Sequence, residues 1–169
     1  MLDEVRGWYE VTRVALATLY YYIRHDPDNL PFQLPSLAPF ATQEAALRHI
    51  ERAQRELADL AILAYFATFE QLLLDHFESS ASALLQGETD PLKRRILEGQ
   101  TQLRRPRNTP ITEVLGYYKA VIDPNLVGQV KQIYSYRNWV AHGKRGPCPI
   151  NVTPDDSRKR LEELLKLLP

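Results

Sequence analysis

Residues 57–74 read LADLAILAYFATFEQLLL, and this stretch decides the fold class. If it is drawn as a helix, apolar side chains occupy nearly every face, which is typical of a helix buried among other helices. The apolar run from Leu60 to Leu74 is interrupted by Glu70, and it is shorter than the roughly 20 residues that a membrane span needs. The stretch therefore predicts the central helix of a soluble bundle.

Two long helices are predicted: the central helix that contains this stretch, and one that precedes it in the sequence. Thr42 is a suitable N-cap, so the central helix is expected from there to about Leu85, either continuous or broken near Leu57, with Gly87 ending it. The first helix is expected over residues 3–24, with one apolar face formed at steps of three and four by Val5, Trp8, Tyr9, Thr12, Leu16, Leu19, Tyr20 and Ile23.

Residues 25–41 contain four prolines and cannot form a helix. So long a loop is either a packed covering strap or an extension that binds a partner. Its apolar content favours the strap.

Shorter helices follow the central one. Patterns of apolar residues, prolines and caps predict helices over 91–98, over 111–120, from Pro124 to near His142, and from Pro154 to Leu168. No segment alternates convincingly as a strand does. The prediction is a single all-α domain of five to seven helices, made of the first helix (1–24), the proline-rich loop (25–41) and a helical core (42–168).

Composition excludes several classes of function. Lys plus Arg and Asp plus Glu both number 21, so no overall positive charge points to nucleic acid and any basic surface must be local. A single cysteine and the lack of a secretory signal at the N-terminus favour a cytoplasmic protein. His25, His49 and His76 show no metal-ligand spacing and are expected at the surface or at helix caps.

The helix that begins at Pro124 has an unusual apolar seam at positions 126, 130, 133, 137 and 140. Position 137 is Arg, although the pattern predicts a core residue there, and such violations concentrate at functional sites or buried interfaces. Asn138 and His142 follow at the expected helix end, before Gly143. The segment 137–142 is therefore the candidate site.

Arg137 and His142 are five positions apart, which is about 140° of net rotation on a helix. They do not share a face, so they meet only if the helix ends at His142 or if two copies of the helix pool their residues. A guanidinium beside an imidazole suits phosphodiester chemistry, because Arg grips phosphate oxygens and His exchanges protons near neutral pH.

The segment from Tyr136 to Lys144, with Arg137-Asn138-x-x-x-His142 inside it, resembles the R-(polar)-x(3–5)-H motif of HEPN domains in its Ala-His-Gly form. The resemblance spans roughly 42–168. It implies a HEPN-like bundle and a metal-independent endoribonuclease, a toxin or defence effector, that acts as a homodimer on RNA without a cofactor. His142 would then be the general base or acid, Arg137 would stabilise charge on phosphorus, and Asn138 would orient the pair.

Other interpretations stay open. A non-catalytic HEPN-like module could bind RNA, a nucleotide or a partner protein such as an antitoxin. In a purely structural helical protein, Arg137 would pair with Glu70 and His142 would be a favourable cation at a helix end. Glu70 needs a partner in its apolar setting, so it either positions Arg137 or reaches solvent at the edge of the helix.

Local basic residues are the candidates for RNA phosphate contacts. Arg104 and Arg105 belong to a basic segment over 93–107, for which a solvated loop is favoured over phosphate contact. Lys144 and Arg145 are better candidates because they adjoin His142. Cys148 lies between two prolines without an activating helix start, so a nucleophilic role is not expected.

Overall fold

The computed structural model describes residues 1–26, 42–95 and 109–169. In these ranges the chain is an all-α helical bundle without strands, as predicted. Residues 91–95 form a short helical segment, and the five longer helices are α1 (Leu2–His25), α2 (Gln43–Gly87), α3 (Ile111–Tyr118), α4 (Pro124–Ala141) and α5 (Pro154–Lys166).

The central helix is α2, and it runs for 45 residues without a break. Thr42 caps it as predicted, since its hydroxyl oxygen accepts a hydrogen bond from the backbone N–H of Ala45 at 3.1 Å. All four other helices pack against α2. Its fully buried side chains include Ile62, Tyr65, Phe66, Phe69 and Leu73.

Two residues assigned to the core are exposed instead. Trp8 is 46% exposed and Leu60 is 52% exposed. Helical rotation of about 100° per residue puts Trp8 at the edge of the stripe formed by Leu2, Tyr9 and Ile23. Leu60 is exposed because its helix is apolar on nearly every face and the neighbouring helices cover only some of those faces.

By length and composition alone, α2 could cross a membrane, because an 18-residue window of it has a mean hydropathy of 1.5. The core helix of a globular domain meets the same criterion. In this bundle 44% of that window is buried against other parts of the chain. The criterion is therefore weak evidence for a membrane span.

Several predictions fall outside the described residues. These are the proline-rich loop over 27–41, the end of the helix predicted over 91–98, and the two candidate RNA contacts Arg104 and Arg105. The remaining helix ends agree with the predicted ones to within two residues.

Candidate functional site

The candidate site lies at the C-terminal end of α4. Asp123 caps the start of this helix by accepting a hydrogen bond from the Asn125 N–H at 2.9 Å. The end also follows the prediction: the His142 N–H donates to the Asn138 carbonyl at 2.9 Å, and Gly143 then takes a φ of 76°. That left-handed conformation suits glycine and terminates the helix.

Arg137 lies where the apolar seam of α4 reaches the edge of the core. Its Nη1 donates to Asn138 Oδ1 at 2.9 Å, and its Nη2 lies 3.9 Å from Glu70 Oε2. The side chains of Arg137 and Glu70 are 32% and 30% exposed, respectively. The guanidinium thus hydrogen-bonds the amide of Asn138 and lies at ion-pair distance from Glu70, while part of it stays in contact with solvent.

His142 is the first residue beyond α4, and its side chain is exposed. Among the described residues, no hydrogen bond, ion pair or ring contact involves its imidazole. The helix end therefore does not bring His142 into contact with Arg137 within one chain. Of the two routes by which these side chains could meet, the one through a second copy remains.

Asp59 lies at this site but is not among the residues predicted for it. It is only 7% exposed, and its Oδ1 accepts a hydrogen bond from the Tyr136 hydroxyl at 2.7 Å. Its other oxygen, Oδ2, pairs with the Lys144 ammonium. Asp59 thus connects Tyr136, which precedes the motif, and Lys144, which follows it, to the same position on α2.

A signal for Asp59 was present in the sequence. The residues 59, 62, 66, 69 and 73 recur at steps of three and four, and the last four are buried apolar side chains. An acid at the head of that series violates the core pattern in the same way as Arg137 does.

Burial raises the pKa of the Tyr136 hydroxyl well above its usual range, and the hydrogen bond to Asp59 and the charge of Asp59 raise it further. The phenol therefore remains protonated and keeps donating to the carboxylate. Lys144, expected as a phosphate contact, is already engaged by Asp59, and its Nζ also lies 5.9 Å from the centroid of the Trp139 ring.

The turn that follows His142 is tied to the helix end. The Lys144 N–H donates to the Trp139 carbonyl at 2.8 Å, and the Trp139 indole N–H donates to the Gly146 carbonyl at 3.1 Å. Lys144 adopts a φ of 58°, which is uncommon for a residue other than glycine. These contacts fix the chain direction after His142 and leave the side chain of Arg145 exposed.

An open cleft of about 710 Å³ separates this turn from the N-terminal half of α2. Its two carboxylates are both paired with cations of the cleft: Glu56 with Arg52 at 2.8 Å, and Asp59 with Lys144. Arg55 is the lining cation without a carboxylate partner among the described residues. The lining residues are Arg52, Arg55, Glu56, Asp59, Leu60, Val140, Gly143 and Lys144.

His76 and Cys148, which were considered above for functional roles, both make hydrogen bonds within the chain. His76 was expected at the surface or a cap, but its ring nitrogens lie 2.8 Å from the Tyr118 hydroxyl and 2.9 Å from the Pro169 carbonyl oxygen, so it joins α2 to α3 and to residue 169. The exposed Cys148 thiol donates to the Ile150 carbonyl at 3.1 Å. Within the described ranges, no group of three His, Cys, Asp or Glu residues could hold a metal ion.

Comparison with known proteins gives no relative for this chain: no family model, no curated protein and no solved structure matches it.

Proposed function

We propose that the protein is a metal-independent endoribonuclease of HEPN type, a toxin or defence effector in the cytoplasm. In this proposal it acts as a homodimer in which each copy contributes Arg137, Asn138 and His142. The observation that carries the proposal is the exposed imidazole of His142, which has no partner among the described residues and lies five residues beyond a guanidinium that contacts Asn138 and Glu70.

The chemistry assigned to these groups is transfer of the phosphodiester to the 2′-oxygen. One imidazole accepts the proton of the ribose 2′-hydroxyl, and the 2′-oxygen attacks phosphorus. The bond from phosphorus to the 5′-oxygen breaks, and the imidazolium of the second copy gives its proton to that oxygen. The products are a 2′,3′-cyclic phosphate and a 5′-hydroxyl, so atoms and protons balance.

Arg137 supplies the charge stabilisation. A guanidinium has five N–H donors, and the contacts to Glu70 and Asn138 leave others free for the non-bridging phosphate oxygens. A donor already fixed before substrate arrives loses little freedom in the transition state, which is where such stabilisation is most effective. Glu70 and Asn138 are positioning residues in this scheme. Arg145 is exposed beside His142 and supplies a further cation for contact with an RNA phosphate.

One observation favours the second candidate, a non-catalytic module that binds RNA, a nucleotide or a partner protein such as an antitoxin. Glu70 lies 3.9 Å from the Arg137 guanidinium and partly neutralises it, and no contact joins Arg137 to His142 within the described residues of one chain. A site that only binds does not need these two groups to converge.

The test is cleavage of a mixed-sequence RNA in the presence of EDTA. We expect wild-type protein to produce 2′,3′-cyclic phosphate ends. His142→Ala and Arg137→Ala should each lower the rate by about 100-fold or more, the loss typical of a missing acid–base or charge-stabilising group. His49→Ala and Arg48→Ala, on the exposed surface of α2, are the matched controls and should retain the wild-type rate.

Equal cleavage by wild type and both site variants would overturn the ribonuclease proposal. RNA binding without turnover, weakened by Arg137→Ala and not by Arg48→Ala, would support the second candidate instead.

A further inference from the structure

Helix α1 has a second apolar face on the side opposite its packed one. The packed face includes Tyr9 and Ile23, which are buried against α2 and its neighbours. Rotation of about 100° per residue places a different set on the far side. This outer α1 face is exposed to solvent throughout and consists of Gly7, Val11, Val14, Thr18 and Tyr21.

The outer α1 face has the spacing of a helix–helix seam. Its members follow one another at steps of four, three, four and three, which is the 3.5-residue repeat at which two helices pack along a continuous line. Val11 is 72% exposed, Val14 is 54% exposed and Tyr21 is 59% exposed. The outer face of a surface helix normally carries charged or polar residues at such positions, so these apolar ones indicate a partner helix.

Charge at the two ends of the helix identifies the partner as another α1. Asp3 and Glu4 lie in the first turn, and Arg24 and His25 lie in the last. Glu4 contacts the N-terminal amine at 3.6 Å, and Arg24 donates to the Tyr20 hydroxyl at 2.9 Å. Within residues 1–26, 42–95 and 109–169, neither pairs with an oppositely charged side chain. Antiparallel pairing of two copies would place each acidic end beside a basic end.

The shape of the outer α1 face is complementary to itself in the same orientation. With a two-fold axis near Val14, Gly7 of one copy lies opposite Tyr21 of the other. A side-chain carbon built on Gly7 would have nothing within 4 Å, so the space above it is open to a tyrosine ring. A glycine facing a large aromatic residue permits close approach of the two helices at both ends of the seam.

We propose that two copies of this chain associate through antiparallel packing of their outer α1 faces. The proposal does not depend on the ribonuclease, because the outer face lies on α1 and the candidate site lies on α4. One helix pair buries an area at the small end of specific interfaces, so we expect a dissociation constant on the order of micromolar.

Sedimentation velocity over a range of protein concentrations tests the association. Wild-type protein should shift from monomer to dimer, and Val14→Glu should weaken the dissociation constant by at least tenfold because it places two carboxylates at the axis. Val121→Glu is the matched control, since Val121 is 66% exposed outside α1, and it should dimerise like wild type. A wild-type monomer at all concentrations, or equal weakening by both variants, would overturn the proposal.

Disulfide trapping tests the orientation in a Cys148→Ser background, which removes the native thiol. Gly7→Cys protein mixed with Tyr21→Cys protein should cross-link into mixed dimers, whereas neither variant alone should cross-link efficiently. Cross-linking of each variant with itself would indicate parallel helices and would overturn the antiparallel arrangement. Absence of any cross-link would overturn it as well.

A final comparison separates this proposal from that of the ribonuclease. Adding His142→Ala to the trapped variants should leave the yield of mixed dimers unchanged while removing any RNA cleavage. Loss of the mixed dimers on this substitution would show that the α1 seam is not the determinant of association.

Discussion

At the scale of single residues, Asp59 constrains the site through its contacts with Tyr136 and Lys144. Asp59 is nearly inaccessible to solvent and accepts its hydrogen bond from Tyr136 at 2.7 Å. A buried carboxylate that loses a donor bears a desolvation cost that the donor had offset. The Tyr136 hydroxyl therefore matters for stability and also, through Asp59, for the placement of the turn after His142.

We predict that Tyr136→Phe lowers the free energy of unfolding by about 1–2 kcal/mol at pH 8, because it removes a hydrogen bond to a charged group. Burial and Asp59 raise the pKa of Tyr136 in the folded protein, whereas the unfolded residue ionises near 10.0. The stabilising contribution of Tyr136 is thus complete below pH 10 and declines as the pH rises further. Urea unfolding should show the difference between wild type and variant narrowing from pH 8 to pH 11.

Tyr117→Phe is the matched control for that experiment, because the exposed Tyr117 hydroxyl also donates to a carboxylate, that of Glu113 at 3.1 Å, and it should leave the unfolding energies nearly unchanged at both pH values. A difference for Tyr136→Phe that is constant or grows between pH 8 and pH 11 would contradict the assigned pKa shift.

Lys144 combines an ion pair with a backbone conformation that suits glycine better than lysine. Its φ is 58°, and its ammonium pairs with Asp59. Lys144→Ala and Lys144→Gly both remove the ion pair, but only glycine relieves the left-handed strain. We expect the glycine variant to be more stable than the alanine variant by about 1 kcal/mol, measured by urea unfolding. Equal stability of the two would show that the turn relaxes to an ordinary conformation.

At the scale of elements, caps and periodicity were sufficient to predict the helices. Thr42, Asp123 and Thr153 each accept a backbone hydrogen bond at the start of a helix, and these caps depend on residues adjacent in sequence. What periodicity does not specify is how wide a strip of each helix its neighbours cover. Trp8 and Leu60 were misplaced for that reason.

At the candidate site, too, the features that depend on neighbouring residues were predictable, and those that depend on distant residues were not. Arg137 stood out because it interrupts a seam within its own helix, and Gly143 marked the helix end. The pairing of Lys144 with Asp59 joins residues 85 positions apart, and no local pattern encodes it. Asp59 lies one residue before the apolar run from Leu60 to Leu74, so that run marks Glu70 as a charge in a core position but does not include Asp59.

At the scale of the whole molecule, the apolar core is unevenly distributed. The main cluster involves every helix from α1 to α5 and centres on Phe66, Phe69 and Leu73. A smaller cluster, made of Ile23, Ala46 and Ile50 with partly buried neighbours, lies where the end of α1 meets the start of α2. Its buried residues come from these two helices alone, so less apolar surface opposes local opening there.

Amide hydrogen exchange should reveal this difference in local stability. We expect residues 16–25 and 43–50 to exchange through a local opening of lower free energy, and residues 61–73 to exchange only on global unfolding. Phe69→Ala should lower the free energy of unfolding by about 3–5 kcal/mol and accelerate exchange at residues 61–73. Residues 16–25 and 43–50 should be accelerated much less by this variant, because their local opening leaves the contacts of Phe69 intact. Ile50→Ala should accelerate exchange in both regions by a similar factor, because local opening and global unfolding both break the contacts of Ile50. Equal acceleration in the two regions by Phe69→Ala would mean that the helices of this bundle unfold as one cooperative unit from end to end.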